Sequence, residues 1–143
     1  GAANKAASGL FSNIIREPLS GRDVVLPAAR STRHWFASPR SAIRFLRHAA
    51  TLDTQRLGAR RCLNMPGLSA TIAEEIEALR RIAGDDVVQR IHDEPDELIM
   101  RIVAGWPSNF TATRARELGF SAETSFEEII NVFIEDELGG QLP

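Results

Sequence analysis

Apolar residues recur at helical spacing over Leu10, Phe11, Ile14 and Ile15, and Ser8 stands where a capping hydroxyl belongs. The spacing predicts a first helix over about 9–17, stopped by Pro18. The next apolar stretch, VVLP, is short and β-branched and reads as a strand. From Ser38 the period is helical again. Ser38 is the cap, Pro39 takes the first helical position, where its missing N–H is harmless, and Ala42, Ile43, Leu46, Ala49 and Ala50 make the stripe expected to be buried. Arg40, Arg44 and Arg47 share another face, expected to be solvated.

RCLNMPG reads as a short strand, with Cys62 in it, leading into a tight turn. Thr71 and Glu74 form a Thr-x-x-Glu capping box ahead of Ile72, Ile76, Leu79 and Ala83, and Gly84 closes that helix. DVVQRIHDEP reads as an extended piece closed by Pro95, with His92 at the surface. Leu98, Ile99, Ile102 and Val103 predict a helix ending at Gly105. Thr111 is placed to cap a short helix reaching Leu118, with Gly119 and Phe120 as stop and hydrophobic clasp. A second capping box, Ser125 with Glu128, opens the last helix, whose apolar positions are Phe126, Ile129, Ile130, Phe133 and Ile134. The pattern is helix-rich α/β with a few short strands, and it shows no repeat, low-complexity tract or linker.

At 143 residues the chain has the size of one domain with a modest core. No apolar run approaches the length of a membrane span, so no membrane partner is expected. A single cysteine excludes an internal disulfide and a cysteine metal cluster, and fits a reducing cytoplasm. The first residues hold too short an apolar segment for a signal peptide and do not begin with methionine, as in a start in mid-protein. The formal net charge of −2 hides an asymmetry. Residues 1–61 carry 11 Lys and Arg against 3 Asp and Glu, and residues 62–143 carry 6 against 16. A basic half can signal nucleic acid or an anionic substrate. Here the arginines are scattered and no aromatic-basic recognition motif accompanies them. The expectation is therefore that the two halves neutralise each other or that the basic half covers a missing segment, with no nucleic-acid partner.

Absent chemistry narrows the field further. There is no tyrosine, no Gly-x-Gly-x-x-Gly or P-loop string, no His-Glu-x-x-His and no Gly-x-Ser-x-Gly elbow. NMPGLSAT offers one glycine before a helix, too few for a phosphate cradle. His34, His48 and His92 lie far apart and lack metal-ligand spacing. Alone, the chain contains no recognisable catalytic constellation.

Four segments, NKAASGLFSNIIREPLSG, VVLPAARSTRHWFASPRSAIRFLRHAATL, CLNMPGLSATIAEEIEALRRIAG and FTATRARELGFSAETSFEEIINVFIEDEL, carry a resemblance over nearly the whole chain. Its most specific pieces are NMPGLS, ASPRSA and RARELGF. In these the chain resembles the C-terminal part of an extended short-chain dehydrogenase/reductase of the NAD-dependent epimerase/dehydratase family, in its sugar-acid branch. The resemblance implies that residues 1–143 are the helix-rich, substrate-binding portion of an extended Rossmann-type fold. It implies an N-terminal NAD-binding Rossmann part, absent from this chain, with a glycine-rich turn and a Tyr-x-x-x-Lys pair whose tyrosine moves the proton. NAD would be the cofactor, with NADP open, and the chain alone would be inactive.

The resemblance also implies substrate residues. Arg33 and Trp35 take the place of an Arg-x-aromatic motif whose arginine contacts substrate phosphates in nucleotide-sugar relatives. For a small anionic sugar acid the guanidinium would fork onto a carboxylate. His34 stands where an acidic residue is common, which favours the small acid. Asn4 and Ser8 are candidates for substrate hydroxyls, and Trp106 for a pocket wall. Each has a structural alternative: an ion pair for Arg33, packing for Trp35 and Trp106, a turn and a cap for Asn4 and Ser8. The competing functions are a nucleotide-sugar epimerase or dehydratase of the same fold, and a non-catalytic helical α/β interaction module. A surplus of apolar helix faces over strands predicts an exposed patch and possible homo-oligomers.

Overall fold

Burial of the apolar stripes organises the chain, which the computed structural model describes over residues 9–142. Helix α1 spans Gly9–Leu19, strand β1 Val24–Leu26, strand β2 Arg33–Phe36 and helix α2 Pro39–Thr51. After a 3-10 turn at Thr54–Leu57 come strand β3, Leu68–Thr71, helix α3, Ile72–Ala83, and the one-turn helix α4, Asp85–Val88. Strand β4, Ile91–Asp93, helix α5, Glu97–Ala104, helix α6, Thr113–Glu117, and helix α7, Phe126–Glu137, complete the order. The strands form two small ribbons: β1 runs parallel to β4 with Val24 beside Ile91, and β2 runs antiparallel to β3 with Arg33 beside Thr71. Among the described residues no helix is long and apolar enough to cross a membrane.

The principal core lies where α1, α3 and α7 converge on β1. Ile14, Leu26, Ile72, Ala78, Leu79 and Ile130 are fully buried there. Helix α3 starts where expected because Thr71 Oγ1 accepts from Glu74 N while Glu74 reaches back to Thr71 N. Helix α6 ends as expected too: Phe120 N donates to Ala115 O and Gly119 N to Arg116 O, with Gly119 at φ +95°. A smaller cluster forms around Ala115, Leu118 and Phe120, against Phe45, Leu52, Leu57, Leu63 and Met65.

Several expectations are corrected. Helix α1 runs through Pro18 to Leu19: the proline falls in the last turn, where the lost backbone bond and the crowding of the preceding carbonyl leave only one residue of helix to disturb. Cys62 lies in an exposed loop and not in a strand. The strand comes later, at Leu68–Thr71, where pairing with β2 satisfies the backbone. DVVQRIHDEP divides into α4 and β4, since only Ile91–Asp93 finds a strand partner. Ala112 and not Thr111 precedes α6, without a side-chain cap. Glu128 overshoots its capping box and bonds Thr124 N, one residue before Ser125.

The largest correction concerns α2. Its expected buried stripe is exposed, with Ile43 at 57 % and Leu46 at 73 %, and Ser41 is its one buried residue. The arginine face is not simply solvated. Arg40 Nη1 bonds Glu135 and its Nη2 bonds Asp136, and Arg44 bonds Ser41 Oγ within 3.7 Å of Glu123. Together with Arg30 forked onto Asp93 and Arg33 against Glu74, these pairs match the expectation that the basic and acidic halves neutralise each other.

Candidate functional site

The alternation of β2 decides what its four side chains do. His34 and Phe36 face inward. The His34 ring stacks on Phe11, 4.6 Å between centroids and 9° from parallel, and lies 5.6 Å from Trp106. Burial among these rings holds its pKa below the ordinary histidine value. Arg33 and Trp35 take the other face. Arg33 Nη1 donates to Ser69 O at 3.0 Å and its Nη2 lies 3.2 Å from Glu74 Oε2. Its side chain keeps 42 % exposure, so the guanidinium is oriented by β3 and α3 yet open to solvent.

Arg33 and Trp106 line one shallow hollow of about 310 Å³ with Thr32, Met100, Val103 and Ser108. The loop bearing Trp106 is tied to β3 by Ser69 Oγ, which donates to Ser108 O at 2.8 Å. Two of the sequence candidates thus share a rim, and His34 lies under Trp106. Trp35 sits apart from the hollow: its Nε1 donates to Met65 O at 3.3 Å and its ring meets Phe110 edge-on. Asn4 and Ser8 lie outside the described residues.

The turn before α3 has a packing role. A Cβ on Gly67 would fall 2.5 Å from Trp35 Nε1 and 2.6 Å from Phe36 O, so glycine is needed for close approach. The amides opening α3 are already engaged by Thr71 and Glu74. These residues do not fit a dinucleotide phosphate.

Two acidic groups escaped the sequence reading. Glu123 accepts from Ser38 Oγ at 2.5 Å and Ser41 Oγ at 2.6 Å, and from Ser38 N at 3.2 Å. Burial pushes its pKa up, but the two serine hydroxyls outweigh that and hold the carboxylate below its usual range. No local motif marks this pairing across more than 80 residues. Glu75 is 1 % exposed, and its Oε2 has no hydrogen-bond partner among the described residues. Burial raises its pKa well above the usual carboxylate value. A signal existed: Glu75 stands three residues after Ile72 and four before Leu79, on the apolar stripe of α3.

No protein-family model matches the chain. It is 46 % identical over 136 residues to D-erythronate dehydrogenase of Cupriavidus necator, covering 95 % of this chain and 42 % of that protein. To D-erythronate dehydrogenase of Haemophilus influenzae it is 38 % identical, covering 94 % and 43 %. Its backbone superposes over its whole length, with a TM-score of 0.97 and 62 % identity, on 42 % of the nucleoside-diphosphate-sugar epimerase from Agrobacterium tumefaciens. The chain therefore spans less than half the length of the relatives it matches. By backbone it corresponds to the helix-rich C-terminal portion of the extended, Rossmann-type short-chain dehydrogenase/reductase fold, and by sequence it is similar to proteins named D-erythronate dehydrogenase.

Proposed function

We propose that the chain is the substrate-side portion of an NAD-dependent dehydrogenase that oxidises a hydroxyl of a small, D-erythronate-like sugar acid. The observation that carries this reading is the 46 % identity to D-erythronate dehydrogenase over 95 % of the chain. In this reading an N-terminal Rossmann part of the longer protein holds the dinucleotide and the Tyr-x-x-x-Lys pair, and the 143-residue chain alone is inactive. NAD held there would supply the hydride acceptor for the carbinol carbon.

The work left to this chain is binding and orientation. Arg33, held by Ser69 O and Glu74 and still exposed, receives the substrate carboxylate. Trp106 walls the hollow. His34, stacked on Phe11 beside Trp106 and disfavoured as a cation by burial, supports the Trp106 wall without lining the hollow. Trp35 supports the loop through Phe110. Asn4 and Ser8 remain proposed contacts for substrate hydroxyls.

In the full-length protein, Arg33→Ala should raise KM for the acid by roughly ten- to a hundredfold, the loss of a charge-assisted pair worth about 1.5–3 kcal/mol, with a smaller change in kcat. NAD reduction followed at varied acid concentration measures it, and an unchanged KM removes Arg33 from the site. A second reading, nucleotide-sugar epimerisation, is favoured by the 62 % identity to the epimerase from Agrobacterium tumefaciens. Turnover of a nucleotide sugar, with no NADH formed from sugar acids, would select it.

A further inference from the structure

We infer that Glu74 is a positioning residue that sets the charge the hollow accepts: paired behind Arg33, it suits the guanidinium to a singly charged carboxylate and works against a doubly charged phosphate. The inference rests on the reading above that Arg33 receives the acid group of the substrate. Arg33 is held from two sides. Its Nη2 lies 3.2 Å from Glu74 Oε2, and its Nη1 donates to Ser69 O at 3.0 Å. Of the five N–H donors of a guanidinium three remain, enough for a forked pair with one carboxylate. Arg33 lines the hollow and Glu74 does not. Glu74 therefore acts on a ligand through the arginine and through its field, without touching it.

The position of Glu74 is fixed by its own helix. Its Oε2 accepts from Thr71 N at 2.6 Å and from Thr71 Oγ1 at 2.9 Å, which completes the capping box of α3. Arg33 stands opposite Thr71 in the β2–β3 register, so the strand pairing delivers the guanidinium to that box. The two bonds from Thr71, with a smaller contribution from Arg33, hold the Glu74 carboxyl below its ordinary range. Glu74 thus stays negative beside Arg33. Among the described residues the rest of the lining, Thr32, Met100, Val103, Ala104, Trp106 and Ser108, carries no charge. The cost of dehydrating a ligand grows with the square of its charge, and its attraction to Arg33 only in proportion to that charge. A fixed carboxylate that weakens the attraction therefore penalises a dianion most.

The test uses the full-length protein and calorimetric titration, which reads binding whether or not turnover follows. The probes are D-erythronate and erythritol phosphate, a four-carbon counterpart with a phosphate ester in place of the carboxylate. At about pH 8 the ester carries close to two charges. The parent should bind the acid more tightly than the phosphate. Glu74→Gln keeps a side chain able to complete the capping box, so α3 should stay folded while the charge is removed. It should raise affinity for the phosphate relative to the acid by about three- to tenfold, the effect of one further unit charge near a solvent-open carboxylate. An unchanged ratio, with both affinities moved alike, would make Glu74 a helix cap alone and overturn the inference. A parent that binds the phosphate at least as tightly as the acid would overturn it without any variant. Oxidation of sugar acids with an unchanged ratio would remove this inference and leave the proposed function standing. A shifted ratio with no sugar acid oxidised would do the reverse, and binding of neither probe would sink both.

Discussion

The three-helix core and the α2 region are held by different forces. Around α1, α3 and α7 the apolar stripes close on one another, and six side chains lose all contact with water. Around α2 the attachments are mostly polar. Ser38 and Ser41 clasp Glu123, and Arg40 reaches Glu135 and Asp136. His48 Nε2 lies 2.8 Å from Leu118 O, and Arg114 donates to the carbonyls of Leu57 and Arg60. The apolar face of α2 is left over. Both regions have amphipathic sequences, so amphipathicity states that a face will be covered without saying by what.

The largest effect that separates the regions is expected from Ile130→Ala, which removes a fully buried side chain where α7 meets the core. It should cost about 2–5 kcal/mol in denaturant unfolding, and a loss below about 1 kcal/mol would deny that this region is the stabilising core. Glu123→Gln comes next. It removes the charged acceptor of two buried serines, so a loss of about 1–3 kcal/mol is expected, with faster hydrogen exchange at the start of α2. Because the folded carboxylate titrates below its ordinary value of 4.5, its contribution is complete above that pH and fades as pH falls through the folded pKa. The variant should flatten this acid limb, and an unchanged limb would exclude Glu123 as its source.

A smaller slope is expected from His34. Its folded pKa lies below the ordinary 6.5, so the unfolded chain takes up the proton first and stability declines as pH drops below 6.5. Histidine NMR titration reads the shift directly, and a pKa at or above 6.5 would contradict the buried, neutral ring. Leu46→Ala should have the least effect on this chain, within about 0.5 kcal/mol, because the side chain is already in water. A core-sized loss there would erase the contrast between the regions.

Local signals proved most legible where neighbours in sequence are neighbours in space. The Thr71–Glu74 box, the Ser38 cap with Pro39, and the Gly119–Phe120 stop all lie within one helical turn and appear as read. The strand after Gly67 was missed because its evidence is a partner, β2, some thirty residues earlier. Of the candidate site, Arg33 and Trp106 come to one hollow and His34 lies beneath Trp106, while Trp35 packs elsewhere. Glu74 as the partner of Arg33, and Glu123 as the clasp of α2, were hidden by separations of 41 and more than 80 residues.

By itself the sequence determined the helix-rich class, most helix caps and the charge complementarity of the two halves, because these depend on period, local chemistry and composition. Tertiary structure alone decided that the stripe of α2 faces outward, that Gly67 serves Trp35, and that Glu75 is buried without a partner. The physical reason is that burial belongs to pairs of surfaces. A sequence shows which surfaces seek a partner, and only the folded chain shows which of them have found one.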